Sequence, residues 1–243
     1  GGSPTESWID RQTLEDEYPE LLNDRFKDNV MVMPWVMQRR AKNVANGKNP
    51  LQLHPYNPTY LYDSAIRPLR NMAVNGVIWY QGESNATNIE IHERLFPLLI
   101  QSWRSFFADS SLPFYYVQLS SINRPSWPWF RDSQRTMMQQ LPNTGMAVSS
   151  DLGDSLDVHP RNKQPIGERL ARWALSKHKG FEQIVPSGPL FVGAKMQGKK
   201  VIVEFKYGKN LTTADNQPLR TLELAGADKV FSHAKNPLKD GVL

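Results

Sequence analysis

The stretch Gly76-Val77-Ile78-Trp79-Tyr80-Gln81-Gly82-Glu83-Ser84-Asn85 limits what this chain can fold into. An apolar run stops abruptly in small and polar residues, as a buried strand does when it delivers a loop into a site. The run is apolar on both faces, which predicts a central strand of a mostly parallel sheet. A helix over 88–107 follows, with Ile91, Leu95, Leu99, Trp103 and Phe106 at helical spacing and Glu90, Glu93, Arg94 and Arg104 at polar positions. Strands at 114–119 and 145–150 alternate with helices at 131–141 and 162–178, the last turning Ile166, Leu170 and Trp173 inward. Strand, helix, strand, helix is the signature of an α/β fold: a three-layer parallel sheet covered by helices. Upstream, Leu14, Tyr18, Leu21 and Leu22 predict a surface helix over 11–27. Further helices are expected over 35–46 and 61–73, the latter interrupted by Pro68. Residues 47–60 and the Pro/Trp stretch 122–130 read as loops.

The pattern changes at Pro186-Ser187-Gly188-Pro189. After it come short β-like runs at 190–192, 201–205 and 221–224, separated by polar turns. The expected organisation is therefore an α/β core over 1–185 and a small all-β appendage over 186–243. The segment 234–243 stops without the further strand expected to close that appendage.

Composition narrows the function classes. Hydrophobic residues make up 40% and charged residues 22% of the 243, and no apolar run approaches the ~20 residues needed to span a bilayer. The absence of cysteine excludes disulfides, thiolate zinc sites and a Cys nucleophile. The net charge is +5, but the basic residues are scattered, with Arg39-Arg40-Ala41-Lys42 among the densest groups. That spacing favours a solvated surface over a nucleic-acid face and is compatible with an anionic substrate. The chain starts Gly1-Gly2-Ser3 rather than with Met.

Ligands of open α/β sheets sit beyond the carboxyl ends of strands, which draws attention to 81–85 and to Asp151-Leu-Gly-Asp154-Ser-Leu-Asp157-Val-His159. His159 lies among three acids, and a nearby carboxylate orients an imidazole and stabilises its charged form. It is the candidate general base, the alternative being a surface histidine. His92 and His178 fall on predicted helices beside charges and are expected on solvated faces. Neither a calcium loop nor a histidine pair at metal-ligand spacing is present, so no metal or other cofactor is expected. Gln81 and Asn85 can donate amide hydrogens to a reacting oxygen, or simply satisfy a strand-terminating turn. Glu83 can accept hydrogen bonds and pin that loop. Ser84 lacks the Gly-x-Ser-x-Gly context of a nucleophile, because position 86 is Ala86; a structural role is expected. The loop from Arg124 through Trp127 and Trp129 to Arg131 can stack on a sugar ring and pair with a carboxylate, or form a packed aromatic corner.

These residues together resemble the sialate O-acetylesterase family of SGNH hydrolases. The likeness rests on Gly-Val-Ile-Trp-Tyr-Gln-Gly-Glu-Ser-Asn at 76–85 and on Asp-Leu-Gly-Asp followed by His159-Pro160-Arg161-Asn162-Lys163-Gln164. Gly1-Gly2-Ser3-Pro4-Thr5-Glu6-Ser7-Trp8 is similar to the family's Gly-Gly-Thr-Pro-Ile-Glu-Ala-Trp, and similarity continues at 61–69, at Trp129, Arg131 and Gln134, at 187–189 and at 222–228. The resemblance implies an SGNH-hydrolase-like (flavodoxin-like) sheet, a secreted or periplasmic protein, and hydrolysis of acetyl esters on a sugar, typically O-acetylated sialic acid. It casts His159 as base, Gly2 and Gln81 as oxyanion donors, and Glu83 as support. Trp129, Arg131 and Arg161 become the candidate substrate-binding residues. Two departures stand out. The family's Gly-Gln-Ser-Asn nucleophile motif is missing, so the core is read as N-terminally truncated. The serine is then expected from a second chain or an upstream segment. The superfamily's Asp-x-x-His would need an acid at Leu156; Asp157, Asp154 or a backbone carbonyl remains to orient His159. Rival readings are an acetyl-xylan esterase on the same scaffold and a non-catalytic glycan-binding protein.

Overall fold

The structure, a computed structural model, describes residues 2–22, 34–49 and 51–234. Its elements in chain order are α1 (Arg11–Glu17), α2 (Pro34–Ala45), β1 (Val77–Trp79), α3 (Ile89–Phe106), β2 (Phe114–Val117), α4 (Trp127–Gln140), β3 (Thr144–Ala147) and α5 (Gln164–Trp173). The antiparallel pairs β4 (Leu190–Gln197) with β5 (Lys200–Lys206), and β6 (Glu223–Ala225) with β7 (Phe231–His233), follow.

Strands β1, β2 and β3 form one parallel sheet in that order, with Trp79 opposite Tyr116 and Tyr116 opposite Met146. All of β2 is buried, and its period-2 alternation explains the layers. Phe114 and Tyr116 face α3, where Phe96 meets them edge-on at 6.0 and 4.8 Å. The intervening Tyr115 faces α5 and stacks on Trp173 at 6.4 Å. Helix α4 joins the α3 layer, and the Tyr116 hydroxyl donates to Gln134 O at 2.6 Å. The result is helix, sheet, helix, the mixed α/β architecture expected.

Local chemistry sets the element ends. Asp10 caps α1 by accepting from Thr13 N at 2.9 Å, and Asn88 caps α3 by accepting from Ile91 N at 3.3 Å. Helix α3 carries Pro97 internally, which removes one donor from its ladder, yet its buried stripe of Leu95, Leu99 and Trp103 holds it against the sheet.

Several expectations change. The helix expected over 61–73 is instead a π turn at Tyr62–Ile66 followed by a 3-10 turn at Arg67–Leu69. Among the described residues β1 is an edge strand and not a central one: Ile78 shares the Tyr115 face, α5 packs on β2 and β3, and Ile78 is 70% exposed. The helix expected over 11–27 ends at Glu17 and gives way to a 3-10 turn at Pro19–Leu22, with 23–27 outside the described residues. Helix α4 begins four residues earlier than the sequence suggested, because Pro128 at its start fits a first turn that needs no donor. His92 is not solvated. It is 2% exposed, wedged between Phe96 and Phe130, and among the described residues neither ring nitrogen has a hydrogen-bond partner. Burial pushes its pKa down to about 3. Helical spacing placed it correctly on α3 but could not show that α4 covers that flank. Strand β7 adds a pairing beyond the three β-like runs foreseen, and 235–243 lies outside the described residues. No described helix is long and apolar enough to cross a membrane.

Candidate active site

A cavity of about 900 Å³ opens around the edge of β1. Ile78, Trp79, Tyr80, Gln81 and Glu83 line it from the first loop, Val158, His159 and Lys163 from the second, and Gly2, Ser3 and Trp8 from the N-terminal segment. The two loops that sequence singled out therefore meet, because parallel β1 and β3 both release their chains at the same end of the sheet.

The wall on the 81–85 side is built from buried residues cross-linked to the N-terminal segment. Asn85 Oδ1 accepts from Thr5 N at 2.9 Å and lies 3.1 Å from Thr5 Oγ1. Gln81 Oε1 lies 3.0 Å from the same hydroxyl. Gln81 Nε2 donates to Ser3 O at 2.7 Å and to Asn85 Oδ1 at 3.3 Å. Ser84 donates its hydroxyl to Gly2 O and is fully buried, the structural role expected of it. Two glycines are required here. Gly2 has φ +86°, and a Cβ there would sit 3.3 Å from Trp35 Cη2. Gly82 has φ +149°, and a Cβ there would stand 2.9 Å from Phe130 Cε1. Each combines a backbone that side chains rarely adopt with a close neighbour.

The opposite wall is exposed. The His159 side chain is 82% exposed, and its Nδ1 lies 3.4 Å from Asp157 Oδ1. The same oxygen accepts from His159 N at 2.9 Å, which holds the Asp157 carboxyl below its usual range, helped by the His159 charge. The other two acids are engaged elsewhere. Asp151 binds Arg169 through both oxygens, at 2.7 and 2.6 Å, and Asp154 accepts from Leu156 N at 2.7 Å. Of the three acids, Asp157 is the one in contact with His159. Burial raises the pKa of Glu83 above the usual carboxylate value, opposed by its own backbone amide and by the charges of His159 and Lys163.

Cations complete the lining. Arg39, Arg124 and Lys163 face the cavity, and each sits over an aromatic ring: Arg39 over Trp35 at 5.0 Å, Arg124 over Trp127 at 5.0 Å, Lys163 over Tyr80 at 4.5 Å. Trp129, Arg131 and Arg161 are not among the lining residues. The Trp129 side chain faces outward on α4, 63% exposed, Arg131 uses its carbonyl to accept from Gln118 Nε2 at 2.9 Å, and Arg161 is exposed near Asp157. Sequence reasoning missed Thr5, Glu6, Arg39 and Lys163 as parts of the site. Arg39 stood out only as one of a basic group, and Thr5 and Glu6 only as letters of a matching segment. Among the described residues no group of three His, Cys, Asp or Glu is arranged to hold a metal ion.

The arrangement brings a histidine beside an acid, opposite the hydrogen-bonded Gln81–Asn85 wall, in a cavity that also holds three cations. The family model of carbohydrate esterases described as sialic acid-specific acetylesterases matches residues 43–176, and the chain belongs to that family. It is 29% identical over 254 residues to the sialate O-acetylesterase of Mus musculus, covering 93% of this chain and 46% of that protein. The Homo sapiens sialate O-acetylesterase is 33% identical over 175 residues, covering 63% of this chain and 34% of that protein. A solved carbohydrate acetylesterase from Xanthomonas citri superposes with a TM-score of 0.77 at 34% identity, covering 100% of this chain and 50% of that one. The chain thus spans about half the length, or less, of the relatives it matches.

Proposed function

We propose that this chain supplies the base and the oxyanion wall of a carbohydrate O-acetylesterase that releases acetate from O-acetylated sialic acid. The observation that carries the reading is the meeting of Gln81, Gly2 and His159, the last in contact with Asp157, around one cavity whose lining also holds Arg39, Arg124 and Lys163. In this reading a serine hydroxyl, delivered by a second chain or an upstream segment, attacks the acetyl carbonyl while His159 takes its proton. Asp157 orients the imidazole and stabilises its charged form. The Gly2 amide and the Gln81 side chain carry the oxyanion, with Gln81 exchanging its long 3.3 Å contact to Asn85 for the substrate oxygen. Glu83 supports the loop and balances Lys163 and His159 across the cavity. The sugar leaves with the proton from His159, and water then releases acetate from the serine.

The cations favour an acidic sugar over neutral xylan, because a carboxylate gains charge-assisted hydrogen bonds that a neutral chain does not. Trp129, Arg131 and Arg161 remain proposed as an outer rim for the rest of the glycan. We read 1–185 as the partial esterase core, 186–243 as a β-rich accessory region, and the protein as secreted or periplasmic, where acetylated glycans are met. The Xanthomonas citri relative is a carbohydrate acetylesterase, so acetyl-xylan belongs in the test. Acetate release from 9-O-acetylated sialic acid and from acetyl-xylan is measured for the full-length protein and its His159→Ala variant. The sialoside is expected to be hydrolysed faster, with the variant nearly inactive. Equal rates for wild type and variant sink the base assignment, and faster xylan turnover replaces the substrate. A serine-reactive phosphonate then marks the nucleophile, whereas glycan binding with neither labelling nor turnover favours a lectin.

A further inference from the structure

Glu6 is a buried carboxyl for which the mechanism above has no use. It is 1% exposed, and among the described residues no cation pairs with it. Its one side-chain hydrogen-bond partner is Asn85, whose Nδ2 donates to Glu6 Oε2 at 3.1 Å. Burial pushes its pKa up to about 7, against its own backbone amide and the Asn85 bond. A buried carboxyl is costly to keep, so its retention inside the site's supporting wall calls for a reason.

The reason lies in hydrogen-bond polarity. Above pH 7, where it is ionised, Glu6 only accepts, so Asn85 turns Nδ2 towards it and Oδ1 the other way. Oδ1 then meets Thr5 N at 2.9 Å and Gln81 Nε2 at 3.3 Å. Gln81 in turn presents Nε2 to Ser3 O at 2.7 Å and so holds the Gly2–Ser3 backbone against the cavity. A glutamine at position 6 breaks this order either way. Kept facing Asn85 with its carbonyl, it leaves two amide hydrogens buried without acceptors. Turned round, it drives Asn85 to point Nδ2 at Thr5 N and Gln81 Nε2, donor against donor.

We propose that Glu6 is a positioning residue: acting through Asn85, it sets the amide polarity of Gln81 and the placement of Gly2 in the oxyanion wall. This rests on the esterase reading above, and it makes a prediction that plain structural support does not. The pair Glu6→Gln and Asn85→Asp exchanges the polarity of the one hydrogen bond between the two side chains and restores acceptors to Thr5 N and Gln81 Nε2. Gln at 6 donates to one oxygen of Asp at 85, and the other oxygen accepts from Thr5 N and Gln81 Nε2.

The test compares wild type, Glu6→Gln, Asn85→Asp and the double variant of the full-length protein. Each single variant is expected to lose about tenfold in kcat, less than the loss on removing an oxyanion donor outright, with KM within about twofold. The double variant recovers most of that loss. In parallel, the Gln81 side-chain amide resonances are followed by NMR in the same four proteins. They are expected to move in each single variant and to return in the double, a readout that stands even if the protein releases no acetate. Single variants with wild-type kcat and unmoved Gln81 resonances overturn the proposal, as does a double variant no better than its parents. Wild-type inactivity with restored resonances overturns the esterase reading and leaves the positioning of Gln81 in place.

Discussion

The two walls of the cavity are built by opposite means. On one side, Thr5, Ser84 and Asn85 are fully buried and tied across some 80 residues of sequence. On the other, the His159 and Asp157 side chains are exposed, and the contact between them spans two residues. Hydrogen-bond donors that must stay aimed at a developing charge gain from a rigid, desolvated mounting, since they then need no reorganisation during reaction. A base that carries protons gains from exposure, which lets its imidazole exchange with solvent. The difference teaches that damage to the exposed wall should appear in rate alone, and damage to the buried wall in stability as well.

The sharpest way to break that contrast is His159→Ala. On the proposed reading this removes the general base and about 10³-fold in kcat, while urea unfolding should stay within about 0.5 kcal/mol of wild type for so exposed a side chain. A large loss of stability would show that the loop is part of the folded core. Next is Gly82→Ala on the buried wall, where the new Cβ meets a fully buried Phe130 at 2.9 Å. Strained backbone plus overpacking predicts about 2–4 kcal/mol of destabilisation by the same urea titration.

His92, packed on the other side of Phe130 at 4.2 Å, gives the third. Its folded pKa is depressed to about 3 from 6.5, so the unfolded chain binds the extra proton first. The stability contributed by its neutral form is present above pH 6.5 and is lost as pH falls towards 3. His92→Leu removes that dependence, and its stability advantage over wild type should grow by about 2 kcal/mol between pH 8 and pH 5. Glu6 has the opposite sign. Its folded pKa of about 7 exceeds 4.5, so it favours the fold at low pH and loses that contribution as pH rises through 7; it is common to both proteins and cancels. A constant difference from pH 8 to 5 would show that His92 is solvated. The smallest effect is expected for Asp151→Asn. It cuts a two-oxygen ion pair with Arg169, but the Asp151 side chain is 54% exposed, so a change under about 1 kcal/mol is expected by thermal unfolding.

The same contrast governs what could be read in the sequence. The α/β order was legible because helix stripes such as Leu95, Leu99 and Trp103 repeat with a fixed period, and the run at 77–79 ends in a polar loop. The pairing of His159 with an acid was legible because three acids lie within eight positions of it. The edge position of β1 among the described residues was not, since a run apolar on both faces does not say how many neighbours it has. Nor was the network of Thr5, Glu6, Gln81 and Asn85. Its partners lie 76 to 80 positions apart, and single residue types carry no record of pairing at that range. Arg39, Arg124 and Lys163 converge from α2, the loop before α4 and the loop before α5, a meeting that only the folded chain produces.

Four of the seven tryptophans, Trp8, Trp35, Trp79 and Trp103, border the cavity. Trp127 and Trp173 are packed in the interior, and Trp129 faces solvent. Most of the indoles of this chain therefore stand around the cavity. Ligand arrival is expected to register in the intrinsic fluorescence, as quenching or a spectral shift, without any attached dye.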